Sequence, residues 1–218
     1  MQDEVELHAA HGSIAPELEA EFPGLRLLWV TAPARLRPSP NEVKGRLREL
    51  PSRYRGEYVV AMRTQPIPHA FRAFFRQIGL DPDVTCIPAE AAALERLLHG
   101  GFPSRNLIDD ARLIAVVETG VPNWALDADH VDVGGLGIRA TAPGDRLGSR
   151  EPARPLACGR LAVADSRVIH ALLFEEVSPD HRVGGSTERV ALFAVRVEGV
   201  PTLHLEEALW TAAETLQT

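Results

Sequence analysis

Thr187, His170 and the adjacent pair Asp109 and Asp110 are the residues in this 218-residue chain whose types could do acid, base or nucleophile work. His170 falls in an apolar strand-like segment and titrates near neutral pH, so it can serve as a base or sit satisfied in a core. Asp109 and Asp110 are consecutive on a helix-like run, which points them about 100° apart and makes them a poor acid/base pair. Either could instead pair with Arg112 or Arg139. Ser186 and Thr187 follow two glycines, yet the alternating Gly and Ser of a nucleophile elbow is missing. Gly135, Gly137 and Ala140 have dinucleotide spacing, but Pro143 and Gly144 follow where a helix would have to begin. The eight histidines contain no HExxH pattern and no Cys/His cluster, so no metal and no cofactor is expected.

Charge is polarised along the chain. Residues 35–76 hold ten cations, Arg46, Arg48, Arg72 and Arg76 among them, against three acids, inside a protein of net charge -7. Such a segment can steer RNA to one face while the acidic remainder repels it, and it can equally be a solvated helix surface. Only two cysteines occur, far apart, which argues against a disulfide framework and suits a reducing cytoplasm. The acidic start Met1 to Glu6 is unlike a secretory signal, and no eighteen consecutive apolar residues exist, so no membrane partner is expected.

A single α+β domain over residues 1–218 must position these groups. Leu25 to Val30 reads as a buried strand, and Asn41, a candidate N-cap, opens a helix to Leu50. A helix near Pro68 puts Phe71, Phe74, Phe75 and Ile78 on one face, read as core rather than as a base-stacking platform. Pro88 to His99 is expected to bury Ala91, Leu94, Leu97 and Leu98. Asn106 to Val117 is a further helix. Strands are expected at Leu136 to Ala140, Leu161 to Ala164, Val168 to Leu172 and Val190 to Val197, before a closing helix striped by Leu205, Leu209, Ala212, Ala213 and Leu216. Helices followed by antiparallel strands point to a sandwich with helices packed to one side.

The order of several segments carries more than any one of them. FRAFFRQIGLDPD, a helix ending LLHGG, RNLIDDARLIAVVETGVPNWALDAD, GLGIRATAPGD, GRLAVADS and STERVALFAV together resemble the B3/B4 domain of the phenylalanyl-tRNA synthetase β chain. That domain binds and edits aminoacyl-tRNA and also occurs free-standing, and the resemblance covers roughly 130 residues. It implies a three-layer fold with a β-sandwich and flanking helices, an aminoacyl moiety in a pocket and RNA as partner. Asp110, Glu118, Asp127, His170 and Thr187 would then lie near the pocket, with His170 and Thr187 as the candidates for ester hydrolysis. Trp124, Arg139 and Phe193 would join Asp110 and Asp127 in holding substrate, while Arg46, Arg48, Arg72 and Arg76 would bind RNA.

The departures from the family are losses of polar chemistry. Its editing histidine falls on Trp124, its Thr-Asn pair near Arg112 and Leu113, its tyrosine-recognising acid on Phe193, and its glycine-rich turn on Leu173 to Glu176. Phe193 cannot impose the penalty of roughly 1–3 kcal/mol by which a buried polar group rejects a ligand lacking the hydroxyl. Two other readings stay open: a non-catalytic module binding a small ligand or a protein, without RNA, and a hydrolase of amino-acid esters or amides unrelated to tRNA. Trp124 and Phe193 could also simply fill the core.

Overall fold

The computed structural model describes residues 9–52, 61–150 and 153–218; Arg53, Arg55 and Glu57 of the basic segment lie outside them. The elements run β1 (Ala10–Ile14), α1 (Pro16–Glu21), β2 (Arg26–Pro33), α2 (Asn41–Glu49), α3 (Pro66–Gln77), α4 (Pro88–His99), α5 (Leu107–Thr119) and β3 (Asn123–Asp127). They continue with β4 (Gly137–Ala140), β5 (Arg146–Leu147), β6 (Arg154–Pro155), β7 (Leu161–Ala164), β8 (Ile169–Leu172), β9 (Arg189–Arg196) and α6 (Thr202–Leu216).

The architecture is α+β, and the described residues form a mixed sheet of nine strands in the order β3-β9-β2-β1-β4-β7-β8-β5-β6. The expected succession of helices and then antiparallel strands is not what forms. β1 and β2 precede most of the helices and enter the sheet centre, and the β1/β4 and β5/β8 pairs are parallel. β1 joins the two halves: Ala10 to Gly12 pair with β2, and Ser13 and Ile14 with β4. The crossing is too close for side chains. A Cβ on Gly12 would lie 2.6 Å from Leu27 Cδ2, and one on Gly137 would lie 2.8 Å from the Ser13 carbonyl oxygen.

β9 is flanked by β3 and β2 and is buried from Val190 to Val195, so its run VALFAV reads as continuous rather than alternating. α6 packs on β9 and β2 through Leu205, Leu209, Ala212 and Ala213, and α5 packs on α6. Asn106 caps α5 by accepting from the Ile108 and Asp109 amides, which fixes where its acids sit. Asn41 does not cap α2: Pro40 holds that position without a side-chain bond. Across the β3/β9 pair Trp124 opposes Phe193, so the two share a sheet face. Phe174 meets Trp124 there and also touches Phe71, Phe74 and Phe75 of α3, which are core as their spacing predicts.

α4 is turned the other way from expectation. It buries Ala89, Ala92 and Ala93 and leaves Leu94, Leu97 and Leu98 at 50 to 72% exposure. Both faces have helical spacing, and the small alanines are the ones that allow close approach to α5.

Candidate functional site

β3 is an edge strand, and between its start, α4 and α5 lies a cavity of about 330 Å³. Its wall includes Asp110, Arg112, Leu113, Asn123 and Trp124. Arg112 Nε and Nη2 donate to the Asn123 carbonyl at 3.3 and 2.9 Å, and Asn123 Nδ2 donates back to the Arg112 carbonyl at 3.3 Å. This reciprocal clamp fastens the edge strand to α5 and occupies a carbonyl that another strand could otherwise use. Burial lowers the Arg112 pKa, which Asp109 only partly offsets across a loose 3.5 Å ion pair. Asn123 is 2% exposed, and its Oδ1 has no hydrogen-bond partner.

Trp124 is half-buried and stacks on Phe193 at a centroid distance of 5.6 Å with 18° between planes. Phe193 itself is core, so of the two aromatic candidates only Trp124 reaches the cavity. Asp110 also lines it, but its oxygens are engaged: Oδ2 accepts from Ser39 and Ser104 hydroxyls, both at 2.6 Å, and Oδ1 from the Arg105 amide at 2.9 Å. With three donors on its two oxygens, Asp110 is a stitch between the 37–40 segment and α5.

The remaining candidates do not converge on this cavity. Asp127, at the far end of β3, accepts from Thr187 Oγ1 at 2.6 Å, and His130 Nδ1 lies 3.2 Å from the same oxygen. Thr187 Oγ1 also accepts from the Gly184 amide at 2.9 Å, so its hydroxyl closes the 184–187 turn onto β3. Arg139 forms a two-pronged pair with Asp145 at 2.6 and 3.1 Å, which raises the arginine pKa and lowers the aspartate's.

His170 is core and 1% exposed. Its Nε2 is 3.1 Å from Asp165 Oδ2, yet the geometry does not make a directed hydrogen bond, and Nδ1 has no partner. His181 packs edge-on against it at 4.4 Å between ring centroids. Desolvation lowers both imidazole pKa values, and for His170 the proximity of His181 lowers it further. A buried pair of imidazoles with lowered pKa values is a core element with a pH-dependent cost, and it does not line the Trp124 cavity.

The basic segment is also partly consumed. Arg72 is 5% exposed, bound to Glu90 at 2.9 and 3.0 Å and to Asp83 at 2.6 Å, so its assignment to an RNA surface is corrected. Arg46 is held by both oxygens of Glu118 and by Thr215, which also removes Glu118 from the acid/base candidates. Arg37, Arg48 and Arg76 are exposed and make no ion pair among the described residues.

Sequence reasoning missed Asn123 as a site residue, and His181 and Asp165 as partners of His170. Asn123 adjoins Trp124, which was its only signal; Asp165 stands in the GRLAVADS segment with nothing there to tie it to His170, and His181 sits in a loop with no signal. Among the described residues no group of three or more His, Cys, Asp or Glu side chains could hold a metal. Compared with known proteins, the chain matches no family model and no curated protein.

Proposed function

We propose that this chain is a recognition module of the B3/B4 editing-domain type that binds an amino-acid-sized group beside Trp124 and carries no hydrolytic machinery. One observation carries the reading. Arg112, Leu113 and Trp124, which stand where the resembling family has its Thr-Asn pair and its editing histidine, come from α5 and from β3 and line one cavity together with Asp110. The turn that replaces the family's glycine-rich one supports it too: Phe174 holds φ +62°, a backbone region glycine favours, and seals the cluster under Trp124 with its ring. The three-layer B3/B4 arrangement is part of this proposal.

RNA enters the proposal through position. The Leu107 amide donates to the Arg37 carbonyl at 2.9 Å, and Asp110 binds Ser39, so the exposed start of the basic segment adjoins the helix that walls the cavity. A polyanion running past Arg37 and Arg48 would bring its attached group toward that wall. Hydrolysis is left out because His170 is enclosed and Thr187 is tied to Asp127. The test is filter binding of aminoacylated and uncharged tRNA, with amino-acid release followed in the same samples. Preferential, salt-sensitive retention of the charged form without release is expected; release that depends on His170 or Thr187 would overturn the non-hydrolytic reading.

A further inference from the structure

Residues 181–186, HRVGGS, run over the buried His170 and are fastened at both ends. Before them, Asp180 accepts from the Ser149 amide and hydroxyl at 2.7 and 2.9 Å, from the Arg150 amide at 3.0 Å and from the Ser178 hydroxyl. Against the upward push of burial, these donors hold its carboxyl well below the usual carboxylate range, so this anchor survives mild acid. After them, Thr187 donates to Asp127 at 2.6 Å. Between the anchors the segment is lightly held. Val183 packs half-buried on the core, the His181 carbonyl accepts from the Asp127 amide at 2.9 Å, and a Cβ on Gly185 would meet nothing within 4 Å. The main weight that keeps the segment down is the His181 ring, 4% exposed and edge-on to His170.

That ring sits where a proton has no match. Nδ1 of both imidazoles and Nε2 of His170 are buried without a hydrogen-bond partner. Asp165 Oδ2, 3.1 Å from His170 Nε2, is placed to balance one charge. The charged and titratable groups around the pair are Asp165 after β7, Asp180, His130 after β3 and Arg150 after β5. For His181 they do not supply a second match: Asp180 is taken up by its four donors, and Arg150 and His130 oppose a proton there. A second charge, 4.4 Å between ring centroids from the first, is therefore costly for as long as His181 stays enclosed.

We propose that residues 181–186 are a proton-operated flap, closed over His170 while both imidazoles are neutral and swung out between the Asp180 and Thr187 anchors when His181 takes up a proton. Opening puts the imidazolium in water and uncovers the His170–Asp165 pair. Burial lowers both imidazole pKa values in the closed form, so the closed form is favoured above about pH 6.5, and the open fraction grows about tenfold per pH unit per proton below it. No flap residue lines the Trp124 cavity, so the readout must be the flap itself.

The experiment is residue-resolved amide exchange by NMR on the intact protein between about pH 7 and pH 5, with rates corrected for the intrinsic effect of pH. The Asp127 and Gly184 amides, which donate to the His181 carbonyl and to Thr187 Oγ1, are expected to lose about tenfold or more of their protection, while the amides of β9 keep theirs. Parallel loss in β9 would mean global acid unfolding and would overturn the flap; so would unchanged protection of Asp127 and Gly184. His181→Phe keeps an aromatic ring and should remove the pH dependence of both amides, and its persistence in that variant would take the switch away from His181. If His181→Phe does not fold, the wild-type comparison of these two amides with β9 still decides.

Discussion

Replacing Arg72 by methionine keeps the aliphatic volume and removes the charge, and the loss can be worked from its contacts. The side chain is 6% exposed and Glu90 10%, so Glu90 would be left as a covered carboxylate with only Arg63, across a loose 3.8 Å, as its cation. Breaking a buried pair costs about 3–5 kcal/mol. The lower end applies here, because Arg63 stays beside Glu90 once the Arg72 guanidinium is gone. Asp83 adds little, being 54% exposed and solvated. The expected loss is therefore about 3 kcal/mol, or roughly 1–1.5 M in the urea midpoint for an m-value of about 2–3 kcal/mol per molar. Adding Glu90→Gln to Arg72→Met should recover about 1–2 kcal/mol, because the second change removes the stranded charge. RNA affinity measured in the same preparations should be unchanged in the fraction that remains folded. A midpoint within experimental error of wild type, together with weakened RNA binding, would refute the reasoning and return Arg72 to the surface.

The other predictions follow from the same bookkeeping of partners. Thr187→Val leaves both Asp127 Oδ2 and the Gly184 amide short of a partner and should destabilise by about 2–4 kcal/mol in urea unfolding, with Thr187→Ser recovering most of it. The buried histidines set a pH dependence. Both have folded pKa values below the ordinary 6.5, so the unfolded chain takes up protons first, and stability is full above about pH 6.5 and falls as pH drops below it. The slope approaches about 1.4 kcal/mol per pH unit per imidazole, and His170→Leu should flatten it in a series of melts between pH 7 and 5. Asp165 and Asp180, whose folded pKa values are lowered, contribute stability above about pH 4 that is lost only at lower pH, so the two windows separate. Arg48→Glu with Arg76→Glu should abolish salt-sensitive RNA retention, whose log-log slope on single strands is about -0.7 per phosphate neutralised; retention at wild-type level in the double variant would remove the basic face from the account.

Periodicity located the long helices and the strands of the second half because each buries one face against a large partner. α3 is the plainest case, where Phe71, Phe74 and Phe75 leave one solution. It failed where two faces compete, as on α4, since alanine and leucine stripes are both apolar and only the space beside α5 decides between them. β1 was invisible because AHGSI carries a glycine chosen for a backbone crossing rather than side chains chosen for a core. β3 is absent from the sequence reading, being an edge strand whose first residue is held by an arginine eleven positions back. Of the site, Trp124, Asp110 and Arg112 were legible through segment order alone. What separated them from Thr187, Arg139 and His170 was distance along the sheet, which sequence order does not encode.

The claim that everything else leans on is that the space beside Trp124 receives a ligand. Ala91, exposed on α4 and part of the cavity wall, can be changed to tryptophan to fill that space from outside the core. Melting wild type and Ala91→Trp with increasing L-phenylalanine tests the claim directly. Wild type should gain about 2.7 kcal/mol at a hundredfold excess over Kd, roughly 5–10 °C in Tm for a chain of this length, and Ala91→Trp should gain none. An equal shift in both proteins, or no shift in either, would contradict it.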